Sequence, residues 1–187
     1  MPTSEEIGAT RGRGWAHPHL PNEGRTCEWW TPPHVFDALG LNFHLDPCAP
    51  PLPAADWIPA KTRYSEHGLE RPWIGRVWLN PPYGKETGDW VQKLAAHGHG
   101  IALVFSRTDV AWWHAAVPKA TAVCFIRGRL TFIPGAGQSA PGNSGGPSAL
   151  IAYGEDCARA VERSGLGLSY RQDTDEGSHD AAGDGDA

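Results

Sequence analysis

The stretch "VWLNPPYGKETGDW", residues 77–90, decides how this chain is read. An apolar run of Val77, Trp78 and Leu79 stops at Asn80, and two prolines and a tyrosine follow at once. Two readings fit. In one, a strand ends in a Pro-Pro turn and Tyr83 packs down as a lid. In the other, the loop grips a planar amino group. The Asn80 side-chain oxygen and the Pro81 carbonyl would accept both N–H groups of an exocyclic amine. Pro81 and Pro82 would stiffen the backbone without adding competing N–H donors. Tyr83 would offer a stacking face, and Gly84 would let the chain turn away beneath the ring. A base inside a duplex reaches such a pocket only when extruded.

Outward from this stretch, the pattern alternates strands and helices. "LNFHLD" (41–46) places Leu41, Phe43 and Leu45 on one face and ends at Asp46, and "RVWLN" (76–80) is a second strand. "GIALVFS" (100–106) and "ATAVCFIRG" (120–128) are continuous apolar runs, as in strands buried on both faces. "SALIAYG" (148–154) is a last strand, and "RLTFI" (129–133) a hairpin partner or edge strand. Helices are expected over 32–40, 85–98 and 109–117, the first two closed by Gly40 and Gly98. Trp112 and Trp113 are expected in the core. The proline-rich 48–64 is expected to be irregular, and 135–146 to be a long mobile loop. The result is an α/β domain on a largely parallel sheet, whose ligands bind at the carboxyl ends of strands. Asp46 and Asn80 both fall at such ends.

With 187 residues one domain is expected, and the 17 prolines and 23 glycines favour loops over long helices. Residues 1–24 read as a flexible arm, 25–165 as the folded domain, and 166–187 as a disordered acidic tail. Residues 171–187 contain six acids and one base, Arg171, so the whole net charge of −5 sits there and the remainder is neutral. A neutral body with local Arg clusters is compatible with nucleic-acid binding. The four cysteines, at 27, 48, 124 and 157, form no CxxC pair, so neither a zinc site nor a disulfide framework is expected. No apolar run is long enough for a membrane span, and the first residues lack a signal peptide's apolar middle, so the cytoplasm is the expected compartment.

"NPPY" resembles motif IV of the amino-group methyltransferases, (D/N/S)PP(Y/F). The succession "EWWTPPHVFDAL", "LDPCAP", "GLERPWIGRVWLNPPYG", "GIALVFSRTDVAWW", "CFIRGRLTF" and "PSALIAYG" is similar to the phage-type DNA N6-adenine methyltransferases, the Dam-like enzymes, over about residues 28–154. The resemblance implies a reduced Rossmann-like methyltransferase fold, S-adenosylmethionine as donor, adenine in double-stranded DNA as acceptor, and no metal. It makes Asn80, Pro81, Pro82 and Tyr83 the catalytic candidates. It assigns the cofactor to Thr31, Asp46, Cys48 and Glu66, and DNA contacts to Arg107, Arg127 and Arg129. One departure stands out: the Gly-x-Gly usual after the acid is absent, and Pro50 and Pro51 stand there. Other acceptors (cytosine N4, RNA, protein glutamine), a non-catalytic DNA-binding protein on a decayed methyltransferase fold, and a structural protein with a Pro-rich turn remain open. The recognised DNA sequence and the oligomeric state stay open as well.

Overall fold

A computed structural model describes residues 29–135, 142–143 and 145–172. The arm over 1–24, part of the 135–146 loop and residues 173–187 lie outside the described residues. Among the described residues, ten strands and four α-helices run in the order β1 (Trp29–Trp30), α1 (Pro33–Leu39), β2 (Phe43–Asp46), β3 (Ala60–Arg63), β4 (Val77–Leu79), α2 (Thr87–His97), β5 (Gly100–Phe105), α3 (Ala111–Ala116), β6 (Ala122–Ile126), β7 (Thr131–Pro134), β8 (Gly142–Asn143), β9 (Ser148–Tyr153), α4 (Glu155–Arg163) and β10 (Gly167–Arg171).

Seven strands form the main sheet, ordered β10-β6-β9-β5-β4-β2-β3. β3, β2, β4 and β5 are mutually parallel, and β6 shares their direction because β9 is antiparallel to both β5 and β6. Five of the seven thus point one way, as the largely parallel expectation required. The alternation of side chains fixes two layers around them. Trp78, Ile101 and Leu103 face one core with α1 and α4, whereas Val77, Leu79, Ala102 and Val104 face the other with α2 and α3. The domain is α/β, consistent with a Rossmann-like methyltransferase fold. A second small sheet, β1-β7-β8, carries the segment before α1.

Three expectations are corrected, and one helix is added. Residues 60–63, expected to be irregular, form β3; "AKTR" has no apolar alternation, but an edge strand needs only main-chain pairing to β2 and is half-solvated. Residues 142–143, inside the expected long loop, pair with β7 as β8. The helix α4 went unread, although Cys157, Ala158 and Val161 share its buried face and Glu155 and Asp156 favour its N-terminus. The tail boundary also moves. Residues 167–171 pair antiparallel with β6, and Gly167 fits there because a Cβ would lie 2.0 Å from the Phe125 carbonyl oxygen. Arg171 bonds Glu162 and Glu155 of α4. It therefore belongs to the folded domain, and residues 1–171 then carry 16 bases against 15 acids, leaving −6 on residues 172–187.

At the amino ends of the strands, Arg76 and His99 both bond Asp156. Against the penalty of its partial burial, these two partners hold the Asp156 carboxyl well below the usual carboxylate range. Trp113 is buried as expected, while Trp112 is half-buried. Trp78 is fully buried and packs edge-on against Phe36 at 4.7 Å and against Phe43 at 5.4 Å between ring centroids. Trp78→Ala should lower unfolding stability by about 3–5 kcal/mol, measurable by denaturant titration. A loss under about 1 kcal/mol would show that this face can collapse around the cavity.

Candidate active site

Because β2, β4 and β5 are parallel neighbours, their carboxyl ends lie side by side. Asp46 closes β2, Asn80 follows β4 and Phe105 closes β5. An open cleft of about 210 Å³ lies at this edge. Eight of the eleven candidate residues line it: Thr31, Asp46, Cys48 and Glu66, with Asn80 through Tyr83. Arg107, Arg127 and Arg129 do not. They are exposed, just beyond β5 and β6.

The Asn80–Tyr83 loop is held from four sides. The Asn80 amide nitrogen donates to the Trp29 carbonyl at 2.6 Å, and the Tyr83 hydroxyl donates to the Asn80 Oδ1 at 3.2 Å. The Cys48 thiol donates to the Asn80 carbonyl at 3.0 Å. Thr87, in the first turn of α2, donates to the Pro82 carbonyl and accepts from the Gly84 N–H, each at 2.9 Å. One face of the Tyr83 ring stacks on Phe105 with centroids 4.1 Å apart and planes 20° apart, and Phe132 of β7 meets it edge-on. The face on Phe105 is thereby taken.

The opposite wall follows β2. Its segment 47–51 offers no free N–H. Pro47, Pro50 and Pro51 have none, the Cys48 N–H bonds Asp46 Oδ1, and the Ala49 N–H bonds the Tyr64 carbonyl. The departure seen in the sequence is therefore a real difference in chemistry: this wall presents acceptors. Asp46 is only 2% exposed. Burial raises its carboxyl to about 7, against the Cys48 N–H and the charge of Arg63. Burial and the neighbouring Asp46 also push the Cys48 thiol well above its ordinary value, so it stays a protonated donor. The chain passes very close here, since a Cβ on Gly68 would lie 1.7 Å from the Pro47 carbonyl oxygen.

Among the described residues, buried polar atoms of cleft-lining side chains lack partners: Thr31 Oγ1, Trp78 Nε1 and Trp90 Nε1. A buried polar group without a partner costs about 1–3 kcal/mol, so a cleft lined this way fits a polar ligand. Trp29, Trp90, Phe105 and Thr87 were not singled out from the sequence. Trp90 read as one apolar position on a helix face, and the others carry no motif. An aromatic before the Thr-Pro pair and a threonine opening the helix after "NPPY" were the available signals.

Residues 18–173 match the family described as DNA N-6-adenine-methyltransferase (Dam), and the chain belongs to that family. No curated protein and no solved structure matches it. Membership supports DNA adenine methylation at family level and DNA as the partner. None of the described helices is long and apolar enough to cross a membrane.

The raised Asp46 carboxyl has a defined consequence for stability. Its folded value, about 7, lies above its ordinary 3.8. Its contribution is therefore fully present below about 4 and lost as pH rises through about 7. Relative to Asp46→Asn, the ligand-free wild type should lose stability between about pH 4 and pH 8. Paired thermal melts measure this, and parallel curves would return Asp46 to an ordinary value.

Proposed function

We propose that this chain transfers a methyl group from S-adenosylmethionine to N6 of adenine in DNA. The observation that carries the reading is the Asn80–Tyr83 loop at the carboxyl end of β4, facing the Asp46 wall across one cleft. Asn80 Oδ1 and the Pro81 carbonyl accept the two N–H bonds of the adenine amino group, which turns its lone pair out of the ring plane. The amino group takes the place on Oδ1 that the Tyr83 hydroxyl holds in the free protein. The free face of Tyr83 stacks on the extruded base. Arg107, Arg127 and Arg129, exposed on the same side of the sheet, meet phosphates or base edges.

S-adenosylmethionine, when bound, supplies an electrophilic methyl on a positively charged sulfur. Asp46 and Glu66 would hold its cationic and hydroxyl groups. Thr31 Oγ1 and Trp90 Nε1 would find in it the partners they lack. Cys48 supports this wall by joining it to Asn80. Holding donor and acceptor in register is the proximity contribution to rate.

Labelled donor with unmethylated DNA, followed by nucleoside analysis, tests the reading; label in N4-methylcytosine or in protein would redirect it. Asn80→Ala should lower kcat by about 10²-fold or more, by analogy with losing one preorganised oxyanion donor. Donor affinity by calorimetry should be nearly unchanged. Wild-type turnover in this variant would remove Asn80 from the chemistry. A wild-type chain that binds DNA but no donor would instead indicate a non-catalytic DNA-binding protein.

Tyr83→Ala should weaken productive binding of the base by about 1–3 kcal/mol. Tyr83→Phe, which keeps the ring and frees Asn80 Oδ1, should stay within a few-fold of wild type. Equal damage from both would transfer the role from the ring to the hydroxyl.

A further inference from the structure

Asn80 is gripped by two hydrogen bonds of opposite sense. A main-chain carbonyl only accepts, so the atom 2.6 Å from the Trp29 oxygen is the NH2 group. That fixes the amide: its oxygen is turned to the other side, where the Tyr83 hydroxyl donates to it. The Trp29 carbonyl is also free for this duty. β1 pairs Trp29 with Pro134, and proline has no N–H to draw that carbonyl into the ladder.

We infer that the Trp29 main-chain carbonyl is the positioning group that selects an amide, rather than a carboxylate, at position 80 and aims its oxygen at the acceptor nitrogen. The inference rests on the role given to Asn80 above. An ionised aspartate has only acceptor oxygens. One of them would face the Trp29 oxygen at hydrogen-bond distance with no proton between, so the side chain would rotate away and lose its aim. Two conditions restore the bond. One is a protonated aspartate, whose O–H donates to Trp29 while its carbonyl oxygen points inward. The other is a serine, which donates without charge. The titratable groups lining this cleft are Asp46, Cys48, Glu66, His67 and Tyr83. Asp46 also titrates in the wild type, so activity is read as the ratio of variant to wild type at each pH.

The experiment measures kcat for wild type, Asn80→Ala, Asn80→Ser and Asn80→Asp from about pH 5.5 to about pH 8, with donor affinity confirming that each variant is folded. At the upper end Asn80→Asp should fall about 10²-fold, close to Asn80→Ala, and Asn80→Ser should exceed it. Towards the lower end the Asn80→Asp ratio should climb at least several-fold while the Asn80→Ala ratio stays flat. An aspartate variant as fast as wild type at pH 8, or one whose ratio does not move with pH, overturns the inference. An aspartate that outperforms serine at pH 8 overturns it too. Wild-type turnover in Asn80→Ala is a different result, because it removes Asn80 from the reaction and takes down the proposed function itself.

Discussion

A strand of three residues carries the site. Val77–Leu79 is buried on both faces, with Trp78 in one core and Val77 and Leu79 in the other. It pairs in parallel with β2 on one side and β5 on the other. The chain cannot shift along this strand by one residue without moving Trp78 into the opposite core and a smaller neighbour into its place. Register is thereby locked at the position from which Asn80 emerges. The same parallel pairing brings the ends of β2 and β5 alongside, which is why Asp46 and Phe105 flank the loop. Burial of one indole thus helps to fix the loop between Asp46 and Phe105.

The two walls are alike in polarity, and the likeness comes from proline. On the β2 side, the prolines at 47, 50 and 51 and two committed N–H groups leave carbonyls, a buried carboxyl and Glu66. Such a wall attracts donors and positive charge and gives no anion cradle of the glycine-rich kind. On the β4 side, the prolines at 81 and 82 do the same, leaving Asn80 Oδ1 and carbonyl oxygens as acceptors. A neutral-to-cationic methyl donor and an amino acceptor are both rich in what these walls lack. The raised Asp46 carboxyl follows from its burial, which the Cys48 N–H and the charge of Arg63 only partly offset.

Much of this was legible in the sequence because it rests on local pattern. β4, β5, β6 and β9 are continuous apolar runs, and a buried strand needs little else to be recognised. "NPPY" carried its own chemistry, and Asp46 was marked by its place at a strand end. What escaped was decided by tertiary partners. "AKTR" becomes β3 only because β2 has an open edge, and "GLSYR" becomes β10 only because β6 does. Read alone, both are polar stretches. Trp90 is a helix-face residue until the fold sets it in the wall of a cleft. The Trp29 carbonyl has no sequence signal at all, since every residue has one. Arg107, Arg127 and Arg129 follow β5 and β6 and are exposed, so the fold alone assigns them no contact.

The walls are also connected to each other. Asp46 Oδ1 accepts from the Cys48 N–H, the Cys48 thiol donates to the Asn80 carbonyl, and the Asn80 amide donates to Trp29. This chain of bonds runs from the end of β2, through the loop after β4, to β1 in the second sheet. Each link is modest, about 0.5–1.5 kcal/mol for a neutral hydrogen bond. Their joint effect is geometric, because a group displaced by 1 Å from its productive position can lose about 10²-fold in rate. The raised thiol value of Cys48 belongs to this logic: a thiolate could not donate to Asn80. Burial that makes the cysteine a poor nucleophile makes it a dependable donor. The desolvation that raises Asp46 therefore also keeps the link between the two walls protonated.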